Sequence, residues 1–278
     1  MNETTLGSFL LPEGFRRPPV VALLKEGRIV REAGSYTLSR AAERRSSGAY
    51  AAPRPERHGD PVLLVPGFLA GDYTLTALAR RLRREGLRTY RSSIRLANVG
   101  CTYDAAALVE ARLEAIVAKR ERKVQLVGHS LGGMLARGIA VRRPDLVSGI
   151  TTMGSPMLAP GAHHLGLTLG VGALVALSKA GVPGVMNETC VAGECARDSF
   201  EESREPLPEG ISFTAIYSRN DGIVDWRSCV DPIATPVEVH ASHVGMAVDP
   251  AVADRVVEAL ARHRAAAQEA GGLLSVTA

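Results

Sequence analysis

The stretch LVGHSLGGM (126–134) sets Ser130 between an apolar run and a turn of small residues. A serine so placed is either a helix cap or a nucleophile held out at the end of a strand, and its surroundings discriminate between the two. VQLV before it reads as a strand and LGGMLARGIAVRRP after it as a helix. In a G-x-S-x-G turn the strand passes directly into the helix, which strains the serine backbone and requires small neighbours where other chains pack close. A cap needs no glycine on each side, yet Gly128 and Gly132 are both present. The spacing predicts a nucleophile.

A serine hydroxyl attacks only when a neighbouring base takes its proton, and that base needs an acid to fix its tautomer. Downstream, YSRNDGIVDW offers Asp221 and Asp225, and EVHASHVGM offers His240 and His243. We favour Asp221, which sits in the tight NDG turn where a strand ends, over Asp225 further along the loop. We favour His243, in a loop able to reach the elbow, over His240, which ends an alternating strand where a histidine usually serves packing. His129 is expected to support the turn, while His163 and His164 are candidates for touching substrate.

These side chains need elements to carry them. PVLLVPGF is a short continuous apolar run closed by Pro-Gly, as in a strand buried on both faces, and predicts one at 62–65. Leu75, Leu78, Ala79 and Leu82 follow at helical spacing, with Asp72 as cap and Gly86 as stop. The unit recurs: strands at 87–93, before Ser130, and at 146–156, with helices at about 104–120 and 131–142. Strands at 210–218 and 235–240 and a helix at about 250–268 complete the series. Alternation of this kind predicts an α/β fold: a mostly parallel twisted sheet with helices on both faces. Residues 1–59 read as an N-terminal extension ending in a Pro-, Gly- and Ser-rich linker, 60–160 and 207–270 as the core, and 161–206 as a small cap insertion. The cap would cover the carboxyl ends of the strands, where open α/β sheets bind ligands.

Composition narrows the partners. The 278 residues are 46% hydrophobic with a formal charge of +4, and the arginines lie among alanines, as in ALARRLRREG, as a solvated helix face would. No nucleic-acid partner is expected. The start, MNETTLGSFLLPEGFRRPP, has no basic and apolar leader pattern, so a cytoplasmic location is expected. LGLTLGVGALVAL (165–177) is shorter than the ~20 residues a transmembrane helix needs. Four cysteines, Cys101, Cys190, Cys195 and Cys229, are expected as thiols. CVAGEC matches neither a CxxC pair nor a zinc ribbon, so no metal is expected.

The order Ser130, Asp221, His243 resembles the α/β-hydrolase family, in its lipase and esterase branch, from about residue 60 to 268. LVPGF is similar to its oxyanion strand, LVGHSLGGMLAR to its elbow, GSP (154–156) to the turn after the next strand, and SRNDGIVDW and SHVGM to its acid and base loops. The resemblance implies an oxyanion hole from the backbone N–H groups of Phe68 and Leu131. Two departures are visible: Pro66 stands where many relatives have histidine, and the two earliest strands of the full fold are not readable in residues 1–60.

Such a set carries out acyl transfer through a covalent acyl-enzyme, needs no cofactor, and points to hydrolysis of a small-molecule acyl ester or lipid. In the family a single glycine followed by a bulky residue, here Gly67-Phe68, accompanies medium or long acyl chains. Leu174 and Leu177 in the apolar cap are the expected contacts for such a tail. A thioesterase or acyltransferase would use the same residues, and a non-catalytic binding protein on this fold is the remote alternative. The sequence does not fix the oligomeric state.

Overall fold

A computed structural model describes residues 6–47 and 59–276. Among the described residues the sheet has six strands: β1 (Pro61–Val65), β2 (Arg88–Arg91), β3 (Val124–His129), β4 (Val147–Met153), β5 (Ser212–Ser218) and β6 (Thr235–Val239). Their order is β2-β1-β3-β4-β5-β6 and every pairing is parallel. All carboxyl ends therefore lie on one edge. The chain steps outward from β1 to β2, then returns to the other side of β1 as β3, which makes the gap between β1 and β3 the switch point of the sheet.

Both faces are covered, which explains the unbroken apolar run of β1. Leu63 and Val65 point into a core shared with α3 (Thr102–Arg120) and α4 (Leu131–Arg142), through Val109, Leu113, Leu135 and Ile139. Val62 and Leu64 point the other way, toward α2 (Thr76–Arg84) and α8 (Pro250–Val276), meeting Leu78, Leu82, Val252 and Val256. Burying such a side chain fully is worth about 1.5–3 kcal/mol, and the two faces of β1 secure the strand that leads to Gly67.

Asp72 does not cap α2. That helix starts at Thr76 with Leu75 at its N-cap, and the Asp72 carboxylate accepts hydrogen bonds from Ser92 N–H (2.9 Å) and Ser92 Oγ (2.8 Å). It ties the loop after β1 to the end of β2, because helical spacing of leucines locates a helix but not the residue that begins it.

The N-terminal segment lacks a clear apolar period, yet it is helical: a 3₁₀ stretch, Val20–Arg28, runs into α1 (Ile29–Ser47). Among the described residues no strand precedes β1. The linker read at 46–61 lies mostly outside the described residues, which omit 48–58. Between β4 and β5 come α5 (Leu165–Lys179), α6 (Glu188–Val191) and α7 (Glu194–Glu202). Arg142 of α4 joins them to the core by pairing with both Glu110 of α3 and Glu202 of α7. No helix among the described residues is long and apolar enough to cross a membrane.

Candidate active site

Ser130 sits between the last residue of β3 and the first of α4, at φ 51° and ψ −124°. Positive φ is a strained state for a non-glycine residue, of order 1–3 kcal/mol, and persists only where packing imposes it. Packing here is close: a Cβ on Gly132 would lie 2.2 Å from the Val65 carbonyl oxygen, and one on Gly128 2.4 Å from that of Gly132. Ser130 N–H donates to the Met153 carbonyl (2.8 Å), fixing the elbow to the end of β4. The next residue, Gly154, has φ 58°, and a Cβ there would meet His243 Nδ1 at 3.1 Å and Asp221 Oδ2 at 3.3 Å. The turn after β4 thus touches the elbow on one side and Asp221 and His243 on the other.

Asp221 and His243 pair at 2.6 Å through Oδ2 and Nδ1. The carboxylate can only accept, so the neutral imidazole carries its proton on Nδ1 and leaves Nε2 free to take one. Asp221 Oδ1 accepts from the N–H groups of Ile223 (2.8 Å) and Val224 (2.7 Å), which orients the carboxylate from behind. Burial pulls the His243 pKa down, but the charge and hydrogen bond of Asp221, with the charge of Glu26, outweigh it and leave the group above its ordinary 6.5.

The rejected alternatives are engaged elsewhere. His240 is exposed, and its carbonyl accepts from Asn220 Nδ2 (3.1 Å). Asp225 Oδ1 accepts from Arg227 N–H (3.1 Å), capping the 3₁₀ turn Trp226–Cys229. His129 lies behind the elbow, where Nε2–H donates to the His243 carbonyl (3.0 Å). Burial, then the neighbouring His243, lowers its pKa to about 3, so it remains a neutral strut.

Two glutamates far upstream hold the loops that carry Asp221 and His243, and nothing in their spacing announces them. One oxygen of Glu26 accepts from Gly222 N–H (2.9 Å) and His243 N–H (3.0 Å), and the other from Val244 N–H (3.1 Å). Glu32, 2% exposed, accepts from Ser242 N–H (2.8 Å) and Ser242 Oγ (2.6 Å). Gly245 must be glycine for this, since a Cβ there would stand 1.8 Å from Glu32 Oε2.

A cavity of about 130 Å³ opens at Ser130, with Phe68 and Leu131 in its wall. Its remaining lining is mostly apolar, including Met134, Leu167, Val171 and Val224. Leu6 and Leu10 also line it, held by Gly7 N–H to the Val191 carbonyl (3.1 Å) and Gly161 N–H to the Leu10 carbonyl (2.6 Å). His163 joins the wall with Nδ1–H donated to the Pro160 carbonyl (2.7 Å), whereas His164 caps α5 by accepting from Gly166 N–H (2.9 Å). Leu174 and Leu177 are not in that wall. Leu174 packs on the cluster of Val171, Val175, Met186 and Val191, and Leu177 is 46% exposed. Leu167 and Val171 line the wall from the same helix. At 1.5 Å per residue Leu174 stands about 10 Å beyond Leu167, and overall apolarity does not tell which end of a helix meets a cavity.

Among known proteins, a triacylglycerol lipase of Vibrio cholerae serotype O1 is 33% identical over 100 residues, which is 34% of this chain and 31% of that protein. The match spans about a third of each. Among solved structures, the mature lipase BlEst2 of Bacillus licheniformis superposes with TM-score 0.58 at 18% identity, over 74% of this chain and 95% of that one. A soluble variant of the Saccharomyces cerevisiae monoglyceride lipase, in complex with a substrate analog, gives 0.52 at 16% identity, over 76% and 88%. These two likenesses are of fold. The model of the alpha/beta hydrolase family matches residues 62–277, well over half of the sequence, and the chain belongs to that family.

Proposed function

We propose that this protein is a carboxylic ester hydrolase acting on lipid-like esters with medium or long acyl chains, with Ser130 as nucleophile, His243 as base and Asp221 as its orienting acid. The observation that carries this reading is the strained Ser130 in the wall of an apolar cavity, on the same sheet edge as a buried His243–Asp221 pair at 2.6 Å. The lipase similarity of the matched 100 residues supports the substrate class.

Ser130 Oγ adds to the ester carbonyl while its proton passes to His243 Nε2. The carbonyl oxygen becomes an oxyanion, for which the N–H groups of Phe68 and Leu131 are the proposed donors. Collapse expels the alkoxide, which takes the proton back from His243, and leaves the acyl group on Ser130. Water, deprotonated by His243, then releases the acid. Glu26 and Glu32 act as positioning residues by fixing the backbone on both sides of the imidazole. Residues 161–206 serve as the cap, and Leu6 and Leu10 complete the acyl wall.

The test is a panel of p-nitrophenyl esters and acyl thioesters of rising chain length, run with a fluorophosphonate label. Ester turnover that rises with chain length, with labelling lost in Ser130→Ala, is expected. Preferential turnover of thioesters would replace the substrate class, and absence of both labelling and turnover would overturn the enzyme reading.

A further inference from the structure

Apart from the serine site, folding gathers three thiols whose separation in sequence conceals them. Cys101 immediately precedes α3, Cys190 lies in α6 and Cys195 in α7, and the three sulfurs all lie within 4.8 Å of one another. One comes from the core and two from the cap. Cys190 Sγ also reaches Asn187 Oδ1 at 3.2 Å, and Cys195 Sγ reaches Thr189 Oγ1 at 3.9 Å. The fourth cysteine, Cys229, is buried elsewhere, with its sulfur 4.0 Å from the Asp225 carbonyl. The cluster borders the serine cavity, because Cys190 lines it, as do Gly100 and Thr102 on either side of Cys101.

Two sulfurs are enough for a disulfide, and a third within the same reach would attack that bond by exchange. Three that converge match a different use. Zinc binds thiolate sulfur at about 2.3 Å with tetrahedral geometry, which places the sulfurs about 3.8 Å apart, within the observed separation. Soft thiolate sets also select zinc and other thiophilic d¹⁰ ions over magnesium or calcium. We propose that Cys101, Cys190 and Cys195 form a binding site for one thiophilic cation of the Zn²⁺ class, which fastens α6 and α7 to the start of α3. On binding, the three thiols release three protons to solvent, three sulfur–metal bonds form as the six-coordinate aqua ion gives up five of its waters, and the water it keeps completes the tetrahedron. No electron is transferred.

This differs from the sequence expectation of no metal for a definite reason. CVAGEC supplies two ligands at a spacing no familiar motif uses, and the third lies outside the insertion, at the start of α3. The consequence is a cap held against the core at one wall of the cavity, and an ion able to alter access to Ser130 without touching it.

The experiment titrates the full chain, kept reduced with a phosphine, with Cd²⁺ as a spectroscopic substitute. A thiolate-to-metal charge-transfer band saturating at one ion per chain, and displaced by Zn²⁺, is expected. Cys101→Ser, Cys190→Ser and Cys195→Ser should each weaken binding by more than the roughly 100-fold that loss of a partner behind the ligands can cost. Cys229→Ser should bind as the unaltered chain does. A readout without substitution covers variants that fail to fold: one equivalent of Zn²⁺ should shield three of the four cysteines from iodoacetamide, leaving Cys229 to be read after denaturation. Absence of the band, a band that depends on Cys229, or a stable disulfide among the three in the chain as purified, seen as a loss of two hydrogens by mass spectrometry, would overturn the proposal.

Discussion

The elbow and the loop after β6 each hold one side chain of the proposed site on the same sheet edge, and they do so by opposite means. Ser130 is fixed by its own neighbours: β3 before it, α4 after it, and two glycines that let β1 and the helix close on the turn. The N–H groups of Ser242, His243 and Val244 are held by residues more than 200 positions away. Glu32 reaches Ser242 across 210 residues and Glu26 reaches His243 across 217. A nucleophile can be prepared by local backbone strain, whereas a base on an open loop needs its N–H groups satisfied by some other part of the fold.

If the elbow is the reacting centre, it should give the largest effect. Ser130→Ala is expected to lower kcat by on the order of 10⁶ with circular dichroism unchanged, because a nucleophile removed from a unit leaves only binding and oxyanion donors. Asp221→Asn should cost on the order of 10⁴ by favouring the wrong imidazole tautomer. His243→Ala should lie between these limits. His240→Ala and Asp225→Asn should change rates little, and the reverse ranking would reassign the acid and base.

Glu32 tests the remote half of the comparison. Glu32→Ala strips two hydrogen bonds from buried Ser242 and should destabilise the fold by about 1–3 kcal/mol, read by denaturant unfolding. An unchanged midpoint would mean that α1 is an appendage. Wild-type turnover with a lowered midpoint would show that the loop keeps its geometry without this support.

Glu26 gives a smaller and more specific effect, since its charge is one of the influences that raise His243 above 6.5. The base must be neutral, so kcat/KM should fall as pH drops through that raised value. Folding stability runs the other way. A pKa raised in the fold contributes stability that is full below the unfolded value of 6.5 and is lost as pH climbs through the folded one. Glu26→Gln should therefore move the acid limb of the rate profile to lower pH, a displacement that loss of scaffolding alone would not produce. An acid limb left in place would restrict Glu26 to a structural role.

The same contrast explains what the sequence made legible. The α/β fold, the sharp turn at Ser130 and the meeting of Asp221 with His243 could be read because each rests on short-range signals: a buried strand, a glycine-flanked turn, a tight NDG loop. Glu26 and Glu32 could not. On a segment whose apolar residues keep no clear period, an acceptor for backbone N–H groups looks like any exposed glutamate, and its partners become evident only when the 3₁₀ stretch Val20–Arg28 and α1 dock against the loop after β6. The N-cap of α2 and the wall positions on α5 escaped for a related reason, since periodicity gives the face of a helix but not its ends or its depth along a cavity.

The proposed acyl wall gives the smallest effect and the sharpest division between the two regions, because Leu167 comes from α5 and Leu10 from the N-terminal segment. Each methylene transferred into an apolar site is worth about 0.8 kcal/mol, or close to fourfold in kcat/KM. If both leucines meet the tail, Leu167→Ala and Leu10→Ala should flatten the gain in kcat/KM per added carbon and leave acetate esters nearly unchanged. Leu177→Ala, on the exposed side of α5, should leave the slope intact. A slope that responds to Leu167 alone would make the cap the acyl site and the N-terminal segment only a clamp on the loops. Proportional loss on every ester, with a lowered midpoint, would show that both leucines serve packing, and the chain-length reading would fall.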